Sequence, residues 1–103
     1  MNRTMNMLGL CARAGRLVTG EKAVIQLVRN KGAYLVLLDG AASDNAVKAV
    51  SQACETCWTP LVRTPPYELG DAIGKPGRMA VGITDEKMAA RVLELSQSDE
   101  DNP

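Results

Sequence analysis

Few residues in this 103-residue chain have the types and spacing for chemistry, and the pattern excludes most of it. There is no His, which removes imidazole acid–base catalysis and every metal site that needs that ligand. Cys54-Glu-Thr-Cys57 has the spacing of a redox pair or of half a zinc site. A zinc site takes four ligands, and Cys11 is the one Cys left over, so the chain alone supplies no usual set. A thioredoxin-type pair sits at a helix start, where the dipole lowers the thiol pKa. Here the pair falls at the expected end of a helix, on its apolar stripe, and reads as core thiols. Gly70-Asp-Ala-Ile-Gly74-Lys75 lacks the glycine spacing and the Lys-Ser/Thr ending of a phosphate-binding loop, so a helix closed by Gly74 is expected. Asp85-Glu86 suits the first turn of a helix better than paired-carboxylate catalysis. No nucleophile, base and orienter come together, so no enzyme, metal site or cofactor is expected.

What remains is Thr19-Gly20-Glu21-Lys22. A Gly at a helix start lets another backbone approach, the free amides of the first turn point outward, and Lys22 adds positive charge, which suits a polyanion. The Glu21 carboxylate would accept from base N–H groups, which a purely phosphate-binding site does not need.

The elements that must position this segment alternate. Met5, Leu8 and Ala12 predict a helix over 2–14 that Gly15 stops. Leu17-Val18 is a very short extended piece. Thr19 then caps a helix to about Asn30, with Ala23, Val24, Leu27 and Val28 inward. The apolar run 34–38 reads as a strand buried on both faces. Ser43 or Asp44 caps a third helix with Val47, Val50, Cys54 and Cys57 on one stripe. Short strands at 60–62 and 79–83 flank the rigid Thr64-Pro65-Pro66 loop and a helix over 67–73. Thr84 or Asp85 caps a last helix carrying Met88, Ala89, Val92 and Leu93. The pattern predicts an α/β fold, a three-layer α/β/α sandwich around a mixed four-stranded sheet, with its binding edge at one end of the sheet. The domain is expected over 1–95, with 96–103 an acidic, disordered tail.

Twelve basic residues balance twelve acidic ones, but unevenly. Residues 1–31 carry six basic and one acidic group, and residues 94–103 carry four acids and no base. The neutral total is a basic end cancelled by an acidic tail, so it does not exclude a nucleic-acid partner. Three cysteines are too few and odd in number for a secreted disulfide scaffold, and no segment approaches the roughly 20 apolar residues of a membrane span. A cytoplasmic monomer with no membrane partner is expected.

The block Met7-Leu-Gly-Leu-Cys-Ala-Arg-Ala-Gly-Arg-Leu-Val-Thr-Gly-Glu-Lys22, followed by Leu69-Gly70-Asp-Ala-Ile-Gly74-Lys75 and the strand 79–84, resembles the YlxQ family. These are small bacterial proteins similar to the large-subunit ribosomal proteins that bind kink-turn RNA. The resemblance covers about residues 5–95. It implies an α/β/α sandwich that binds structured, kink-turn-like RNA without catalysis, near the ribosome or translation factors. It also implies RNA contacts from three segments: Thr19, Gly20, Glu21 and Lys22; Ser43, Asn45 and Lys48; and Arg63, Thr64 and Pro65. The Tyr67 ring is either a stacking platform for a splayed base or half-buried packing of its helix. Ala46 and Val47 stand where relatives often have Thr and Lys, and two prolines and Tyr67 replace a more basic loop. Fewer cations mean fewer released counterions and weaker, less salt-dependent binding. The alternative is a protein-interaction adaptor that kept the sandwich and lost RNA affinity.

Overall fold

A computed structural model describes residues 2–101 of the chain. Its elements are α1 (Asn2–Arg13), β1 (Leu17–Thr19), α2 (Glu21–Arg29), β2 (Leu35–Asp39), α3 (Asp44–Thr56), β3 (Leu61–Thr64), α4 (Glu68–Ala72), β4 (Ala80–Ile83) and α5 (Glu86–Asp101). The strands form one mixed sheet in the order β1-β4-β2-β3. The β4 strand is antiparallel to both β1 and β2, and β3 is parallel to β2.

The fully buried β2 run explains the layers. Successive side chains of a strand point to opposite faces. Leu35 and Leu37 enter one core with Leu8, Cys11, Leu69 and Val92. Val36 and Leu38 enter the other with Val24, Val28, Val50 and Cys54. The sheet is therefore sandwiched between α1, α4 and α5 on one side and α2 and α3 on the other, the expected α/β/α architecture.

Directions follow from this order. β1, β2 and β3 all run toward the same end of the sheet, here called upper, where Leu38 pairs with Ala80, Thr19 with Val81 and Asp39 with Thr64. α2 and α3 begin at the upper end and finish at the lower one.

Several local expectations shift. The second helix is capped by Gly20 at φ +104° and not by Thr19, whose hydroxyl donates to the Ala80 carbonyl at 3.1 Å. A residue at the end of a strand finds the neighbouring strand before it can fold back on the helix. Ser43 caps α3, its Oγ accepting from the Ala46 amide at 3.2 Å, and the Asp85 carboxylate accepts from the Met88 amide at 2.9 Å. The largest correction concerns the acidic tail expected to be disordered over 96–103. α5 continues to Asp101, and Ser96 is buried. Asp99 accepts from both the amide and the hydroxyl of Thr4, at 3.1 and 2.8 Å, and pairs with Arg3 at 3.0 Å. The Thr4 hydroxyl, followed by the Thr4 amide and then the Arg3 guanidinium, lowers the Asp99 pKa from its usual value against the opposing effect of burial. Polar composition points to disorder only while the partner, 95 residues away, is out of view. Asn102 and Pro103 lie outside the described residues.

Candidate functional site

The upper end is organised by a residue that sequence reasoning missed. Asp39 closes β2 and is fully buried. Its Oδ1 accepts from the amides of Ala41 and Tyr67, both at 2.8 Å, and its Oδ2 accepts from the amide of Leu69 at 3.2 Å. One buried carboxylate thus ties the β2–α3 loop to the β3–α4 loop, and charge-assisted hydrogen bonds of this kind are the strong ones. The Gly40 amide donates to the Thr64 carbonyl at 2.8 Å and closes the same joint. Tyr67 is left in a left-handed conformation (φ +65°) with its ring 69% exposed, so it is available for stacking and is not packed into the helix.

Above this framework, the start of α2 brings Gly20, Glu21 and Lys22 beside the start of α3 with Ser43 and Asn45. A cleft of about 350 Å³ between them is lined by Gly20, Glu21, Ser43, Ala46 and Arg78. Arg78 is a second omission. A Cβ on Gly20 would lie 2.9 Å from its guanidinium, so the missing side chain makes room for the arginine. Arg78 is carried there by the 75–78 turn, which lies on Gly70: a Cβ on Gly70 would meet the Lys75 carbonyl at 2.7 Å and the Gly77 amide at 2.9 Å. The visible signal is the turn Lys75-Pro-Gly-Arg78 placed just before a strand, with a cation on each side. Lys22, Lys48, Lys75 and Arg78 are exposed, and their side chains enter no hydrogen bond or ion pair among the described residues. Lys48 stands one turn further along α3. Arg63 is exposed on β3 and reaches back to the carbonyls of Asp39 and Gly40 at 3.4 and 3.5 Å.

Of the ten residues singled out from the sequence, Gly20, Glu21, Lys22, Ser43, Asn45, Lys48 and Arg63 lie at or beside this edge with exposed or half-exposed side chains, and Pro65 sits in the loop behind it. Thr19 and Thr64 lie beneath it. The Thr19 hydroxyl is engaged with Ala80, and Thr64 is buried with its Oγ1 unpartnered.

The cysteines sit elsewhere. Cys54 is buried, and burial, then the neighbouring Cys57, pushes its thiol up to about 11. That is the reverse of an activated thiol and agrees with core packing. Among the described residues no group of three or more His, Cys, Asp or Glu is placed to hold a metal ion, and no helix is long and apolar enough to cross a membrane.

Known proteins are similar to this chain in sequence and fold. Residues 2–93 match the Ribosomal protein L7Ae/L30e/S12e/Gadd45 family. The chain belongs to that family. Similar members include the RNA-binding protein YlxQ of Bacillus subtilis (strain 168), 39% identical over 90 residues that cover 86% of this chain and 90% of the relative. The RNA-binding protein YlxQ of Enterococcus faecium is 36% identical over 94 residues, 90% of each chain. A solved structure of a protein of unknown function from Bacillus halodurans C superposes with a TM-score of 0.88 at 31% identity, covering 92% of this chain and 97% of that one. The Giardia lamblia 15.5kD RNA binding protein superposes with a TM-score of 0.72 at 19% identity, over 91% of this chain and 84% of that one, a likeness of fold. The L7Ae-type fold thus holds Gly20–Lys22 and Ser43–Asn45 at one sheet end.

Proposed function

We propose that this chain is a non-catalytic RNA-binding protein whose upper sheet end receives a structured, kinked RNA. The observation that carries the reading is the convergence of two helix starts on one cleft, with Arg78 lining it against Gly20 and the exposed Lys22, Lys48 and Lys75 on the elements around that sheet end. Relatives that cover nearly all of this chain are RNA-binding proteins.

Each part has a physical role. The first-turn amides of α2 and α3 point out of the sheet end and favour phosphate. Gly20 gives the Arg78 guanidinium its place beside those amides, where it meets phosphate, and Lys22 and Lys75 add positive charge at the same sheet end. The Glu21 carboxylate accepts from the N–H edge of an unpaired or sheared base, and Tyr67 offers a ring for a base that leaves the stack. Recognition is by shape, because phosphate contacts position the RNA and few groups read sequence. The protein acts as a monomer in the cytoplasm, near ribosomal RNA or translation factors.

The test is a salt titration of affinity for a duplex interrupted by a kinked internal loop against a plain duplex of equal length. The kinked RNA binds tighter, and log affinity against log salt has a slope of about −3 for four cations. Equal affinity for both, or no salt-dependent binding at low ionic strength, rejects the reading and leaves a scaffold for protein contacts.

A further inference from the structure

The lower end of the sheet carries an aromatic and cationic surface that the upper-end reading does not use. Of the six cations in residues 1–31, Lys22 stands at the upper cleft and Arg3 is bound to Asp99. The other four, Arg13, Arg16, Arg29 and Lys31, fall where α1 and α2 end and β1 begins, at the lower end. Two of the three aromatics are there too. Trp58 is 93% exposed and Tyr34 47% exposed. Tyr34 precedes β2 and Trp58 precedes β3, and the Val36 amide donates to the Pro60 carbonyl at 3.0 Å, so the two rings flank adjacent strand starts.

The helix ends explain how these side chains are displayed. α3 ends with the Thr59 amide donating to Cys54 and the Trp58 amide to Glu55. α2 ends in the same way, the Gly32 amide donating to Leu27 and the Lys31 amide to Val28. In this type of helix ending the left-handed position is usually a glycine. Here it is Trp58 at φ +57° and Lys31 at φ +60°. A strained backbone position held by a large exposed side chain adds nothing to the fold, and such positions cluster where a ligand is met. Between the two helix ends lies a groove of about 490 Å³ lined by Arg29, Gln52, Glu55 and Thr56, which offers both donors and acceptors to a base edge.

We propose that this lower end binds unpaired nucleotides, with Trp58 and Tyr34 stacking bases and Arg29 and Lys31 holding the phosphates between them. The ligand is single-stranded RNA, because positive charge interleaved with exposed rings is what a strand of stacked bases and phosphates requires. It rests on the RNA-binding reading and extends it to a second contact surface, so that an RNA held at the upper cleft would also be gripped by a single-stranded flank.

Trp58 is the sole tryptophan, and its fluorescence reports on the site. A uridine octamer quenches it to saturation. Lys31→Gly combined with Arg29→Ala weakens the quenching midpoint at least fivefold, and Trp58→Gly weakens octamer binding, followed on a labelled octamer, about tenfold. Both glycine replacements relieve a strained position, so lost binding is not lost folding. Lys22→Ala with Arg78→Ala leaves the octamer midpoint within twofold while weakening a kinked hairpin without overhangs. If the hairpin binds and the octamer leaves Trp58 unquenched, the lower site is overturned and the upper reading stands. If neither RNA binds, both fall. Quenching by polyglutamate but not by the octamer overturns the proposal in favour of an acidic protein partner.

Discussion

The two ends of the sheet are chemical opposites built from the same elements. At the upper end α2 and α3 begin, so free amides face out, and the contact surface is made of backbone, glycine and short loops. At the lower end the same helices finish, so carbonyls face out, and anything that binds an anion there must be supplied by side chains such as Arg29 and Lys31. The upper end therefore needs Gly20 at φ +104°, where a side chain would be in the way. The lower end carries Lys31 and Trp58 at positive φ, where the side chains are what matters. A glycine is required at the start of α2 and replaced by large side chains at the ends of α2 and α3, and that difference is open to measurement.

The largest effect is expected at the joint beneath the upper end. Asp39→Ala leaves the Tyr67 and Leu69 amides without their acceptor and lowers unfolding free energy by about 3 kcal/mol or more. Urea denaturation measures this, and a loss below about 1 kcal/mol would show that the two loops are held by something else. Lys22→Ala with Arg78→Ala, tested on the kinked RNA, follows: affinity falls about tenfold and the salt slope shrinks by roughly 1.5, with the fold unchanged. A weaker affinity with an unchanged slope would mean that these cations do not meet phosphate.

Glycine exchange sharpens the contrast directly. Gly20→Ala places a Cβ at a positive φ against Arg78 and costs about 1–2 kcal/mol. Trp58→Gly has the opposite sign and stabilises by about 1 kcal/mol, because the left-handed helix ending then carries no strain. Thermal unfolding of the two variants checks both signs, and destabilisation by Trp58→Gly would mean that the indole packs in solution.

The smallest effects are pH-dependent. Cys54 is raised in the folded state from its usual 9.0 to about 11, so the folded protein holds that proton more tightly than the unfolded chain. The Cys54 contribution is then constant below about pH 9 and is lost as pH rises toward 11, and Cys54→Ala makes that alkaline fall shallower. Asp99 has the reverse sign. Its folded pKa is lowered, so its contribution is present near neutral pH and is lost as pH falls below the usual carboxylate value. Asp99→Asn removes that acid limb and loosens α5 from Thr4.

What the amino-acid sequence discloses about this molecule is what is local in it. The β2 run is readable because Leu35, Val36, Leu37 and Leu38 alternate between two cores, and an uninterrupted apolar strand has no other home. Gly20–Lys22 and the Ser43 cap are readable because a helix start needs those residue types within three positions. Asp39 is not readable. Two of the amides it holds are 28 and 30 residues away, and an Asp before a Gly otherwise signals only a turn. Arg78 joins the cleft only once the 75–78 turn is seated on Gly70. The basic first third misleads for a related reason: a chain that runs down α1, up β1 and down α2 delivers most of its cations to the end away from Gly20. The acidic end of α5 is ordered by Arg3 and Thr4, partners that no local pattern can supply.

The central claim is that RNA meets the upper end of the sheet, and amide chemical-shift mapping tests it most directly. A ¹⁵N-labelled sample titrated with a short kinked stem, at low salt, should show its largest shifts at residues 20–22, 43–45, 63–67 and 75–78. Val28, Val50 and other amides of the two cores should stay in place. Shifts confined to the lower end, or none with the kinked stem, would contradict the account.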